Sequence, residues 1–219
     1  MLLNKSLSTL VSILILTALE NGPKTIALNR FDVLNGNVKQ LVETDSTISN
    51  FHLSDTTDFD QDGNATESRE GDGHIVIILT KYVNKYDSSG RKLETIAIPS
   101  GGTSKTVYTY NVNGQVVSSE DSLSNDKISY KYDMNSQPIE LVVSTGQRVQ
   151  FSELNKYKDN LLTVTDLYQH GTRLKDRYYY KYFSLDKQGN WTKRKETWKN
   201  ENGKVERVSI QLRKFLYYL

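Results

Sequence analysis

The sequence predicts an all-β fold, an open, twisted antiparallel sheet of about seven consecutive β-hairpins, about 14 strands in all, with no closed shell. Three observations predict it. An aromatic residue followed by a polar turn recurs at Phe31 (FDVLNGN), Phe59 (FDQDGN), Tyr86 (YDSSGR), Tyr110 (YNVNGQ), Tyr132 (YDMNSQ), Tyr157 (YKDN) and Tyr182 (YFSLDKQGN). The intervals are 28, 27, 24, 22, 25 and 25 residues, enough for a hairpin and its connection and too few for a domain. Around the turns apolar and polar residues alternate with period two, and 14 tyrosines stand against 2 methionines and 3 prolines. A tyrosine ring packs on a half-buried pleated surface while its hydroxyl stays hydrated, which suits a thin sheet.

The elements follow in order. Met1–Lys5 is a short head with one charge, and residues 6–19 (SLSTLVSILILTAL) form an apolar run shorter than the roughly 20 residues that cross a bilayer as a helix. Thr25 and Ala27 occupy the −3 and −1 positions of a cleavage site. Residues 1–27 therefore read as a secretory signal peptide and residues 28–219 as one exported domain. The expected localisation is extracytoplasmic, with no transmembrane segment once the leader is removed. Within the repeats, Ile128, Tyr130 and Tyr132 share one face of a strand while Lys127, Ser129 and Lys131 share the other. The turns supply Asp or Asn with Gly, as in Asp87-Ser88-Ser89-Gly90 and Asn113-Gly114, where glycine gives the positive φ of a tight hairpin. Ser136 stands where glycine is expected, and the Tyr157 unit turns on Asn160, which tolerates the left-handed region. The unbroken run Ile75–Leu79 predicts a strand covered on both faces, and Val208–Arg213 predicts the final strand.

Around these residues the chain resembles the YD-repeat (Rhs-repeat) family of bacterial surface and secreted proteins, over most of residues 28–219. Its last full unit, YKYFSLDKQGNWTKRKETW, is similar to the closing unit of short exported members. The resemblance implies a repeat scaffold with two ligand classes, carbohydrate and protein. Long members curl their repeats into a shell around a cargo, and seven units read as too few to close one.

Charges nearly cancel, with 28 Lys+Arg against 26 Asp+Glu, so no global field calls for a nucleic-acid partner. Their distribution is uneven. Glu43 to Asp72 holds nine acidic residues and one basic, a net of −8, while Arg173 to Leu219 holds thirteen basic and five acidic, a net of +8. The basic end reads either as a surface for an anionic polymer or acidic partner, or as a solvated face whose Lys and Arg discourage edge pairing. Cysteine is absent, which excludes disulfides, thiolate nucleophiles and Cys-based zinc sites.

No nucleophile elbow, P-loop, dinucleotide fingerprint or metal-ligand histidine spacing occurs, so no catalytic residue and no cofactor is expected. A cryptic hydrolase assembled from distant strands is the third reading of function. Asp58, Asp60 and Asp62 with Gly63 resemble the opening of a calcium loop, but Arg69 stands where the bidentate Glu belongs, and the segment reads first as the second repeat's turn. Trp191 and Trp198 occur in one unit only and, with Tyr179, Lys193 and Arg194, are the candidate ligand-binding residues. An exposed indole beside cations is what sugar rings or a partner surface would stack on. Being seven residues apart, the two tryptophans would face opposite ways in an unbroken strand. The leading function is a non-enzymatic extracytoplasmic binding module for a glycan, envelope polysaccharide or other envelope ligand. The alternative is a structural or toxin-associated protein–protein component, serving immunity, encapsulation or adhesion.

Overall fold

The computed structural model describes residues 25–28, 32–47, 52–71, 76–99 and 103–218, so nearly all of the expected leader lies outside the described residues. A short pair, β1 (Thr25–Leu28) and β2 (Asp32–Asn35), forms a sheet of its own. The second sheet begins with β3 (Val38–Thr47), β4 (His52–Phe59), β5 (Ala65–Gly71), β6 (Val76–Tyr86) and β7 (Lys92–Pro99). It continues through β8 (Ser104–Tyr110), β9 (Val116–Asp121), β10 (Asp126–Tyr132), β11 (Pro138–Thr145) and β12 (Arg148–Lys158). It ends with β13 (Leu161–Gln169), β14 (Arg173–Leu185), β15 (Trp191–Asn200) and β16 (Val205–Tyr217). Each strand pairs antiparallel with the next, and β16 returns to pair with β3, from Ser209 opposite Thr47 to Tyr217 opposite Val38. The fourteen strands β3–β16 are a closed barrel.

Closure overturns the open sheet expected from the sequence. The barrel has the expected fourteen strands and six of the seven predicted turns join paired strands, but the turn of the Phe31 unit leads from β2 to β3 in different sheets, and the open edges are absent. A strongly twisted sheet beyond about ten strands curls, and each open edge would leave a row of unpaired backbone groups. Here the two would-be edges are long, antiparallel and opposite in charge, since β3–β5 carry the acidic segment and β14–β16 the basic one. Arg213 on β16, 3% exposed, donates from Nε to Oε1 of Glu43 on β3 at 2.7 Å across the seam. The run Val208–Arg213 does lie in the last strand, but that strand is paired on both sides.

The repeat has a physical basis in the hairpins. In four successive units the turn-preceding tyrosine donates its hydroxyl to a carbonyl just past the previous unit's turn: Tyr110 to Lys92 (2.5 Å), Tyr132 to Val116 (2.9 Å), Tyr157 to Pro138 (3.2 Å) and Tyr182 to Leu162 (2.7 Å). In the Tyr108/Tyr110 and Tyr130/Tyr132 pairs the first tyrosine meets a hydroxyl on the neighbouring strand, Tyr108 that of Thr95 and Tyr130 that of Ser119. The four turn-preceding tyrosines both pack inward and latch their units to the ones before. The turns are closed by their first residue, whose side-chain oxygen accepts amides two and four residues on, as at Asp87, Asn111, Asp133 and Asp186. Ser136 takes φ 63°, close to the 77° of Gly90 and Gly114, so the serine turn keeps the glycine geometry. Asp159 and Asn160 both have positive φ (53° and 62°), giving the Tyr157 unit the two-residue hairpin turn that needs no glycine.

Alternation places one residue set inside the barrel and the other in water. Inside, Tyr108, Val116, Tyr130, Leu141, Val143 and Leu162 form one buried cluster. Leu34, Val38, Leu41, Phe59 and Ala65 form another, with Tyr82, Phe215 and Tyr217 packed against it. Of the run Ile75–Leu79, only Leu79 has a described side chain; it is 39% exposed, so at that residue the predicted double cover fails.

Candidate functional site

The last unit divides across the barrel wall. Tyr178, Tyr180 and Tyr182 of β14 register with Trp198, Glu196 and Arg194 of β15, which register with Arg207, Ser209 and Gln211 of β16, and all of these face the lumen. Trp191 joins them because the β14–β15 register slips between Ser184 and Leu185, which adds a residue before Arg194. The slip is why two tryptophans seven apart lie on the same side, against the expectation for an unbroken strand.

Trp191 is 4% exposed, with the guanidinium of Arg194 at 4.2 Å and that of Arg213 at 3.8 Å from its ring centroid. Arg194, 8% exposed, also lies 4.7 Å from the Tyr180 ring and donates Nε to Gln211 Oε1 at 2.5 Å. Trp198 is half-buried, stacked on Tyr178 at 6.4 Å and 13°, and its indole N–H donates to Asp176 Oδ1 at 2.8 Å. These groups build the wall: two cationic side chains against an indole hold the barrel's last strands to its first.

Next to them the lumen is acidic. Glu43, Asp55 and Glu70 stand directly opposite one another on β3, β4 and β5. Partial loss of water around the Asp55 carboxyl, which still meets lumen solvent, then the charges of Glu70 and Glu43, push its pKa up to about 6. Burial likewise raises Asp45, opposed by Arg207. At the start of β7 Lys92 is 1% exposed, its Nζ 5.6 Å from the Tyr108 ring centroid, and desolvation lowers its pKa to about 8 against the pull of Asp60.

Tyr179 and Lys193 point outward. Lys193 Nζ and Lys181 Nζ lie 5.9 and 5.6 Å from the Phe183 ring centroid, and Lys199 Nζ lies 5.0 Å from that of Tyr179. The structure thus brings Trp191, Trp198 and Arg194 together inside and leaves Tyr179 and Lys193 on the other face. The outer wall of β14–β16 also holds Lys195, Lys214, Ile210, Leu212 and Leu216, which sequence reasoning did not single out. Strand parity applied to the +8 segment was the signal that could have found them.

None of Lys181, Lys193, Lys195, Lys199 and Lys214 meets a carboxylate within 4.0 Å among the described residues. Lys181 stands directly opposite Lys195, and Arg177 opposite Lys199.

The calcium-like segment is the second repeat's turn. Asp60 Oδ1 accepts the amides of Asp62 and Asn64 at 2.9 Å each, and Asp58 is paired with Arg69 and accepts Gln40 Nε2 at 2.7 Å. At the rim between the β10–β11 and β12–β13 turns lies an open cleft of about 250 Å³, lined by Asp133, Gln137, Ile139, Asn155, Tyr157 and Asn160. It offers amides and a phenol, with Gln137 Nε2 bridging to Asn160 Oδ1 at 3.1 Å.

No family model matches this sequence, and no curated protein matches it. Among solved structures, a porin-like protein from Bacteroides uniformis is similar at TM-score 0.48 and 10% identity, covering 82% of this chain and 96% of that one. The TcdB2-TccC3-Cdc42 complex is similar at TM-score 0.32 and 11% identity, covering 89% of this chain and 11% of that one. Both likenesses are too loose to carry function, so the surface chemistry has to. Outward lysines occur on most walls, among them Lys81, Lys85, Lys105, Lys127, Lys131 and Lys193. A lysine facing lipid costs roughly 2–4 kcal/mol at the bilayer midplane and about 0–1 kcal/mol near the interfaces.

Proposed function

We propose that this chain is a non-enzymatic, extracytoplasmic binding module that holds an anionic component of the cell envelope against the outer wall of β14–β16. One observation carries the reading: five outward lysines, interleaved with exposed Tyr179, Phe183, Leu212 and Leu216, stand without carboxylate partners among the described residues. Like charges opposed across a strand pair cost stability, so a wall that keeps them is explained by an external counter-charge. Export is supported by the apolar run 6–19 with Thr25 and Ala27 behind it. The YD-repeat resemblance is supported by the tyrosine latch, which recurs with the sequence period.

The test is retention on dextran sulfate against neutral dextran across a salt series. Salt-sensitive retention on the sulfated polymer, weakened by Lys181→Gln with Lys195→Gln, supports the reading. Equal behaviour on both polymers overturns it. A neutral glycan is the second reading, favoured by the amide-lined rim cleft. It predicts saccharide-induced amide shifts at Asn155 and Asn160 that salt does not abolish.

A further inference from the structure

The composition of the β14–β16 wall separates two kinds of anionic surface. A soluble polyanion needs only the lysines. This wall adds large apolar side chains among them: Phe183 and Leu216 are each 51% exposed and Leu212 is 41% exposed. Lys193 stands directly opposite Leu212 and leans over Phe183, so cation and hydrocarbon occupy one patch. Aliphatic side chains give a polyanion in water nothing to bind, and exposing them is unfavourable. At a bilayer surface both halves are satisfied. Phe183, Leu212 and Leu216 would enter the boundary between headgroups and acyl chains, while lysine stems lie along them and the ammoniums stay among anionic headgroups.

Resting on the reading of this wall given above, we propose that its ligand is the surface of an anionic phospholipid bilayer, on which the barrel docks peripherally without crossing it. The interior keeps its charged seam and its tyrosine clusters. Only the outer wall of the last three strands changes environment.

The experiment is co-sedimentation of the exported protein with vesicles of phosphatidylcholine alone or with phosphatidylglycerol as a third of the lipid. A Phe183→Trp variant, read with lipids brominated near the headgroup, reports the wall's position. Trp191 and Trp198 face the lumen and serve as a shielded background. Expected are binding to the anionic vesicles only, quenching of the new indole, and a loss of about fivefold for each of Lys193→Gln and Lys214→Gln. Phe183→Ser with Leu212→Ser should weaken binding at high salt more than at low salt. Circular dichroism of each variant confirms that the barrel is intact, since every substituted side chain is outward.

Retention on dextran sulfate without vesicle binding overturns the bilayer proposal and leaves the anion-binding reading standing. Failure with both probes overturns both. Vesicle binding that is indifferent to these substitutions, with no quenching at position 183, places any membrane contact elsewhere and also overturns the proposal.

Discussion

Two stretches of the barrel's exterior use the same residue types to opposite effect. From β5 to β14, outward charges meet their opposites directly across the strands: Glu67 faces Lys81, Lys85 faces Glu94, Glu120 faces Lys127, Lys131 faces Glu140 and Asp166 faces Arg177. Glu94 is bridged by Lys85 at 2.8 Å and Lys105 at 3.0 Å, and Lys131 reaches Glu140 at 2.7 Å. On β14–β16, Lys181 faces Lys195 and Arg177 faces Lys199. The acids of these last strands are spent elsewhere: Glu196 and Asp176 point inward to Arg207 and Trp198, and Glu201 and Glu206 pair with Arg173 and Lys204 around the β15–β16 turn. A lysine on a β strand therefore has no fixed meaning. Its cross-strand neighbour decides whether it neutralises a wall or charges it.

The most severe way to break the contrast is to remove the strand that carries both its sides. Truncation before Val205 deletes β16 and leaves β3 and β15 as unpaired edges. The expected outcome is loss of the cooperative melt and aggregation on size exclusion. A monomeric product with an unchanged melting curve would show that closure contributes little.

Next in size is the inner face of the same seam. Arg213→Ala removes the buried bond to Glu43 and a cation from the Trp191 ring, for a cost of about 3 kcal/mol. Lys131→Ala, on the neutralised wall, removes an exposed pair and should cost no more than about 1 kcal/mol. Urea melts of the two variants in parallel measure the difference, and equal midpoints would refute it.

The acidic lumen supplies a pH test. Asp55 holds its proton more tightly when folded, with a pKa of about 6 against 3.8 in its ordinary state. The unfolded chain releases that proton first, so stability is lost as pH rises from about 4 to about 6 and stays lower above. Asp55→Asn should therefore raise the melting temperature at pH 7 and leave it unchanged near pH 3.5. Because lumen water screens the carboxyl, the gain at pH 7 should be about 1 kcal/mol or less. A variant less stable than the parent at pH 7 would contradict this account.

The smallest effect is the sharpest comparison. Lys195→Glu turns the opposed Lys181 and Lys195 into a complementary pair and should stabilise the fold by about 0.5 kcal/mol while weakening anion binding. Glu140→Lys makes the converse change on the neutralised wall and should destabilise by a similar amount. If Lys195→Glu stabilised the barrel and left binding to dextran sulfate intact, the lysines would lose their assigned role.

The sequence by itself determined what depends on local chemistry. Period-two alternation put Ile128 and Tyr130 inside and Lys127 and Lys131 outside. The Asp/Asn turns set the hairpin registers, and the interval between aromatics marked six of the barrel's hairpin turns, four of them with a tyrosine that reaches the unit before it. Only the tertiary structure decided closure, since that depends on whether two strands with partners such as Arg213 and Glu43, 170 residues apart in the chain, can meet with matched length and opposite charge. The two ends of opposite sign were visible in the sequence as a −8 and a +8 segment, but not that they touch. The candidate site divided in the same way. Its composition was legible in the last unit, whereas a single register slip before Arg194 turned Trp191 inward and left the outer wall to the lysines.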